Sequence, residues 1–284
     1  MEINNEDTDL QAYVPRVTFE QIPIKNLVSN QNYQRHLSKA HVKRVAENFD
    51  IFQINPVKVS RRDGVNYVFN GQHTIETVAL VSGSRNTPVW CMVYDDMDYQ
   101  QEADIFANQL KYTKGLNPYE VFVAKIEAGI DQQLIIKELV ESYHLFISSS
   151  KMPSGICAIS ALEQIYIQHG YHTLDRTIRM AVNTWEGEAY SLSANMLKGI
   201  AHLIVTYGDD LKDEQFYEEI GSCSAKEIIR IAKDRNNGKL GFSEALLSKY
   251  NQRMKAPLKQ ELLYSSKSTK KNKDDEVHLI NVDT

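Results

Sequence analysis

The residues with the most chemical promise lie together in Tyr67-Val68-Phe69-Asn70-Gly71-Gln72-His73-Thr74-Ile75-Glu76. Tyr67, Val68 and Phe69 are β-branched or aromatic and read as the end of a strand. Ile75, Val78 and Ala79 then recur at helical spacing. Gly71, at the junction, lets the backbone turn tightly and come close to a ligand. The helix start offers backbone N–H groups and the positive end of its dipole, which suit an anion and above all a phosphate. Gln72, His73 and Thr74 add side-chain donors at the same spot. Strand–glycine–helix junctions are commonplace, however, and His73 could serve only to cap or pack.

Several elements must hold that turn in place. Val17 to Phe19 and Gln21 to Ile24 read as extended chain. Ser38 is an N-cap for a helix whose apolar face is Val42, Val45, Ala46 and Phe49. Pro56 to Ser60 and Asn66 to Phe69 form a hairpin around Asp63-Gly64. Arg61 and Arg62 then belong to a solvated hairpin tip. Pro88 to Tyr94 reads as a strand buried on both faces. From Tyr99 onward the pattern is helical. Asn117-Pro118-Tyr119-Glu120 starts one helix with a capping box, and Ser224 with Glu227 makes another.

Composition narrows the class. The 284 residues are 42% hydrophobic and 24% charged, ordinary for a globular protein of one or two domains. No apolar run approaches the ~20 residues that span a bilayer. The N-terminus is acidic and polar, so the expected location is the cytoplasm. The three cysteines, Cys91, Cys157 and Cys223, are widely spaced and read as buried or half-buried thiols, not a zinc site. A net charge of −5 runs against a dedicated nucleic-acid-binding domain, which is usually basic.

The later half offers fewer chemical signals. His169-Gly170-Tyr171-His172 reads as a turn, and its two histidines lack the further ligands of a metal site. Met196, Leu197, Ile200, Leu203 and Ile204 form a core face. The Lys-rich run after Ser265 passes straight into Asp274, Asp275 and Glu276, the composition of a solvated tail.

Five landmarks occur in order along the chain. They are Tyr33-Gln34-Arg35, Gln53-Ile54-Asn55-Pro56-Val57, Asn70-Gly71-Gln72-His73-Thr74, Ala107-Asn108-Gln109 and Leu116-Asn117-Pro118-Tyr119-Glu120. Through them the region from about Pro23 to about Ile130 resembles the N-terminal domain of the ParB family, which is related to sulfiredoxin and binds nucleotide phosphates. The resemblance implies an α+β fold, with a small ParB/sulfiredoxin-like α/β module followed by an all-helical region. The domains expected on this basis are a flexible lead-in at 1–16, the ParB-like module at 17–130, a helical domain at 131–262 and a disordered polar tail at 263–284.

The same resemblance implies that Gly71, Gln72, His73 and Thr74 cradle the phosphates of CTP or another nucleoside triphosphate. Asn108 would hold its magnesium ion or a phosphate, and Arg35 would assist. The implied partners are the nucleotide, DNA and a second copy of the chain, in a protein of partition, plasmid or phage type. The chain departs from the family where hydrolysis is concerned. His73 and Thr74 stand where CTP-hydrolysing members carry two arginines, whose charged forks grip phosphate better. Ala107 stands where those members carry a glutamate. Gln72 replaces the sulfiredoxin cysteine, which removes the thiolate nucleophile.

Two other readings stay open. A phosphotransferase or nuclease on this scaffold would need a carboxylate base, with Glu47, Glu76 and Asp104 as candidates. A non-catalytic interaction protein would have kept the fold and lost the ligand. The stretch from Asp131 to Tyr166 holds the position of the family's helix-turn-helix. A connection from His144 to Gly155 is too long for the three- or four-residue turn that motif uses.

Overall fold

The computed structural model describes residues 14–29, 33–34, 36–95, 97–109, 111, 114–236 and 238–265. The expected lead-in and tail therefore lie almost wholly outside the described residues. The fold is α+β, and the chain divides into two units, Met1–Lys114 and Gly115–Thr284.

The first unit is built on a five-stranded sheet. Its strands are β1 (Thr18–Pro23), β2 (Leu27–Ser29), β3 (Val57–Arg62), β4 (Val65–Asn70) and β5 (Pro88–Tyr94). Their order across the sheet is β1-β5-β3-β4-β2. β1 runs antiparallel to β5, and β3 antiparallel to β4. β2 is parallel to β4, and β5 parallel to β3. The β3–β4 hairpin turns at Asp63 and Gly64, both at positive φ, the turn type the Asp-Gly pair specifies.

Three helices belong to this unit: α1 (Lys39–Glu47), α2 (Gln72–Ser82) and α3 (Tyr99–Asn108). Ser38 caps α1, its hydroxyl accepting from the His41 N–H at 3.3 Å. Ile75 of α2 is buried with Val57, Val59 and Val68 of the sheet, and Val78 and Ala79 pack against the same cluster.

β5 corrects one expectation, because its sides alternate. Val89, Cys91 and Val93 are buried, whereas Trp90 is 54% exposed. Phe19, on the same face of neighbouring β1, is 58% exposed. One face of these two strands carries the core and the other does not, so an apolar run did not mean two buried faces here. Burial pushes the Cys91 thiol up to about 11. Cys157 is exposed rather than buried.

Arg61 and Arg62 are likewise not a solvated tip. They end β3, one residue before the turn. Arg61 holds Glu20 with two nitrogens, at 2.9 and 2.6 Å, and those bonds keep the Glu20 carboxyl below the usual carboxylate range. Arg62 Nε donates to Glu102 Oε1 at 2.7 Å, and the Glu102 side chain is fully buried.

The second unit contains α4 (Pro118–Glu127), α5 (Asp131–Ser142), α6 (Ile159–Trp185), α7 (Ala194–Tyr207), α8 (Asp213–Gly221), α9 (Ala225–Lys233) and α10 (Gly238–Tyr250). The division falls ahead of residue 130, because α4 packs on α5 and α6 and sinks Phe122 into the helical core. α4 starts with the complete capping box of Asn117 and Glu120. The box at Ser224 is half made. Its hydroxyl accepts from the Glu227 N–H, but Glu227 turns to Lys249 at 3.2 Å.

The region is not purely helical. Strands β6 (Phe146–Ile147) and β7 (Gly155–Ile156) pair in parallel between α5 and α6. The connection from α5 to α6 that holds this ladder is longer than the three- or four-residue turn of a helix-turn-helix. Lys151, within the connection, sits 3.1 Å above the Tyr190 ring. The turn expected at His169 to His172 is present but short: α6 is two helices that meet at a kink at Gly170, which takes φ 81° and ψ 177°, a conformation open to glycine alone.

α7 and α10 approach closely at Gly199, where a Cβ would stand 2.8 Å from the Phe242 Cβ. Gly199→Val should therefore part the two helices and cost about 1–3 kcal/mol by overpacking, read as a lower denaturant midpoint.

Candidate functional site

The strand–glycine–helix junction is built as its residue types dictate. β4 ends at Asn70, Gly71 takes φ 109° and ψ 13°, and α2 begins at Gln72. The left-handed backbone suits glycine, and a side chain there would also collide with the neighbouring strand. A Cβ on Gly71 would lie 3.1 Å from Val57 Cγ1 and 3.3 Å from Val57 Cα. The first bond of α2 runs from the Ile75 N–H to the Gly71 carbonyl at 3.0 Å. Gly71, as the N-cap residue, has no side chain with which to cap this end.

A polar cleft of about 440 Å³ opens over the junction. Gly71, Gln72, His73 and Thr74 all line it, as the sequence grouped them. Other parts of the first unit complete the wall: Gln34, His36, Ser38 and His41 from the segment leading into α1, and Phe106 and Gln109 from the end of α3. Gln34 is buried, and its Nε2 donates to the Val68 carbonyl of β4. That bond fixes the Tyr33-Gln34 landmark beside the Gly71 turn.

The imidazoles have defined roles. His73 Nε2 accepts from the Ser38 N–H at 3.2 Å, which ties the start of α2 to the cap of α1. His41 Nδ1 lies 3.0 Å from Arg44 Nη2, and a guanidinium can only donate. With these nitrogens acting as acceptors, the neutral rings carry their protons on His73 Nδ1 and His41 Nε2. The two rings meet edge to face at 5.3 Å. His73 is thus a structural tie as well as a cleft residue.

Asn108 is placed differently. Its Nδ2 donates to both the backbone carbonyl and Oδ1 of Asp104, each at 3.0 Å, and it is not among the residues lining the cleft. Its neighbour Gln109 lines it instead. Arg35 lies outside the described residues. The sequence reading did not assign His41 to the site, and within the Ala107-Asn108-Gln109 landmark it chose Asn108 where Gln109 lines the cleft. The signal for His41 was its place in the first turn of α1, on the same cap as Ser38.

A buried group supports the α3 side. Glu102 accepts from Arg62 and, at 3.0 Å, from the Tyr33 hydroxyl. The Arg62 guanidinium also lies over the Tyr67 ring, 4.4 Å from its centroid. Burial first, and then the charge of Glu102, push the Tyr33 hydroxyl up to about 12. Tyr33 in turn packs edge-on against Tyr99 and Phe106 of α3.

Among the described residues no carboxylate lines the cleft. Glu76 pairs with Arg85 at 2.9 Å, Glu47 lies 4.0 Å from Lys43, and Asp104 accepts from Asn108. The described donors suit phosphate oxygens. They do not form a magnesium cage by themselves, since that ion favours carboxylates and water. No group of three or more His, Cys, Asp or Glu side chains among the described residues could hold a metal. No described helix is long and apolar enough to cross a membrane.

Comparison with known proteins places the chain in a family. No curated protein matches it significantly. Among solved structures it is similar to the C-terminally truncated chromosome-partitioning protein ParB from Caulobacter crescentus complexed with CTP-gamma-S. The identity is 14%, the match covers 81% of this chain and 98% of that one, and the TM-score is 0.34. The structure of C-terminally truncated Caulobacter crescentus ParB complexed to the centromeric parS site is 15% identical, with 76% and 99% covered and a TM-score of 0.27. A family model described as "Family of unknown function (DUF6551)" matches residues 28–260. That span takes in both units and most of the chain, and the chain belongs to the DUF6551 family.

Proposed function

We propose that the protein is a ParB-like, DNA-associated protein of partition or mobile-element type that binds nucleotide phosphates at the Gly71 turn. The observation that carries this reading is the convergence on one polar cleft of the left-handed Gly71, the start of α2 and the Gln34 landmark. The positive end of α2, the Thr74 hydroxyl and the His41 ring N–H all favour an anion there. The described lining holds imidazoles but neither lysine nor arginine. A triphosphate would therefore bring its own counter-charge as bound magnesium. With no carboxylate in the described lining to activate water, the expected behaviour is binding with little or no turnover. A phosphotransferase or nuclease would lack its base for the same reason. DNA and a second copy of the chain are the proposed partners.

The test is the thermal midpoint of the full chain with magnesium and each of CTP, ATP, GTP and UTP. One nucleotide should raise it, by the equivalent of about 2.7 kcal/mol at a hundred times its Kd. Thr74→Ala should abolish most of that rise while leaving the ligand-free midpoint nearly unchanged. His73→Ala should abolish it too, but with a lower ligand-free midpoint, because the Ser38 tie is lost. No rise with any nucleotide would sink the proposal and favour an interaction protein that has lost its ligand. DNA association, measured at several salt concentrations with and without the active nucleotide, tests the second half.

A further inference from the structure

The second unit holds a separate cavity of about 440 Å³ walled by α6, α7, α10 and the 3-10 turn at Gln260–Tyr264. Its charged lining is all of one kind. Lys198 comes from α7 and Lys239 from α10, with His169 from α6 and His202 from α7, and no carboxylate lines it among the described residues. In a chain of net charge −5, a recess whose described lining is cationic and neutral is out of keeping with the whole. Asn195 and Gln168 add amide donors at its edge.

We propose that this cavity is a binding site for a small phosphorylated molecule, independent of the Gly71 cleft. The lysines supply fixed charge, and the histidines supply donors at the recessed side. His202 Nδ1 lies 3.0 Å from the hydroxyl of Ser243, which is itself fully buried. That hydroxyl has one proton, donated to the Lys239 carbonyl at 2.9 Å or the Gly199 carbonyl at 3.3 Å. With the hydroxyl proton on either carbonyl, His202 donates through Nδ1 and takes up a proton at Nε2. Ile165, Val205 and Leu262 give the rest of the cavity an apolar side. The volume exceeds that of a bare phosphate and suits a phosphate monoester with an organic portion. A half-buried imidazole can meet a terminal phosphate more readily than the backbone of a duplex, which favours a small molecule over DNA.

Binding is coupled to protons. Burial, and after it the charge of Lys239, lower the basicity of both His169 and His202, with His169 adding to the effect on His202. Without an anion the rings stay neutral to lower pH than usual. A bound anion offsets the lysines and draws protons onto them, so affinity rises as pH falls. Among the described residues, the charged groups that line the cavity with the two rings are Lys198 and Lys239.

The experiment is a calorimetric titration of the full chain at fixed ionic strength, with sulfate as the charge probe and glycerol 3-phosphate as the monoester. Sulfate keeps its charge between pH 5.5 and 8, so its pH dependence reports the protein. Both should bind. Sulfate should bind at least tenfold more tightly at the acid end, and Lys198→Gln with Lys239→Gln should weaken both probes at least tenfold. Thr74→Ala, in the other cleft, should leave these affinities unchanged. The proposal is overturned if neither probe binds or if the lysine variants bind them as the wild type does. It is also overturned if Thr74→Ala removes the binding, or if the His202 ring resonances respond to a DNA duplex but to neither small anion.

Discussion

Arg62→Ala is expected to destabilise the first unit by about 3–5 kcal/mol, the cost of leaving a buried charge without its partner. The Glu102 side chain is fully buried, and Arg62 is its cationic partner, 2.7 Å away. A surface pair would be worth far less. Among the described residues, the Tyr33 hydroxyl would then be left to satisfy a fully buried carboxylate. Chemical denaturation of the single variants Arg62→Ala and Glu102→Gln and of the double variant separates the causes. The double variant should be more stable than Arg62→Ala, because a neutral amide costs less to bury than an unpaired charge. If Arg62→Ala costs under about 1 kcal/mol, the pair behaves as a surface pair and the assignment fails. Because Tyr33 packs on Phe106 at the cleft wall, the same variant should also weaken any ligand at the Gly71 turn.

The second large effect is expected at Gly71. Gly71→Ala places a Cβ in a left-handed backbone, a strain of about 1–3 kcal/mol. It also drives that Cβ to within 3.3 Å of the Val57 backbone, where the fully buried Val57 has little room to yield. Overpacking of this kind adds a further 1–3 kcal/mol, roughly. Gly83→Ala is the control. Gly83 ends the same helix at φ 67°, but a Cβ there meets nothing within 4 Å, so only backbone strain applies. Gly71→Ala should therefore lower the denaturation midpoint clearly more than Gly83→Ala. Equal losses would mean that Val57 makes room. Any nucleotide response should vanish in the first variant and survive in the second.

Local signals were legible wherever chemistry acts between near neighbours. The Asp63-Gly64 turn, the Ser38 cap, the Asn117–Glu120 box and the start of α2 after Gly71 each depend on a few adjacent residues. The placement of Gln72, His73 and Thr74 on one cleft follows from that same local geometry. Readings that depended on remote partners fared worse. Arg61 and Arg62 looked solvated because Glu20 and Glu102 are far away in sequence. Pro88 to Tyr94 looked doubly buried because composition does not say whether a second layer covers a sheet.

Most element types, the α+β plan and the glycine turn into α2 were legible in the chain, because hydrogen bonds within a helix, hairpin or cap join residues only a few positions apart. Tertiary structure alone decided which helix joined which unit. It buried Phe122 with α5 and α6 and so set the division before α4. It also brought His41 to His73, Arg62 to Glu102, and the two lysines of α7 and α10 to one cavity. Burial and charge act through space, and they depend on packing that no short stretch of chain specifies.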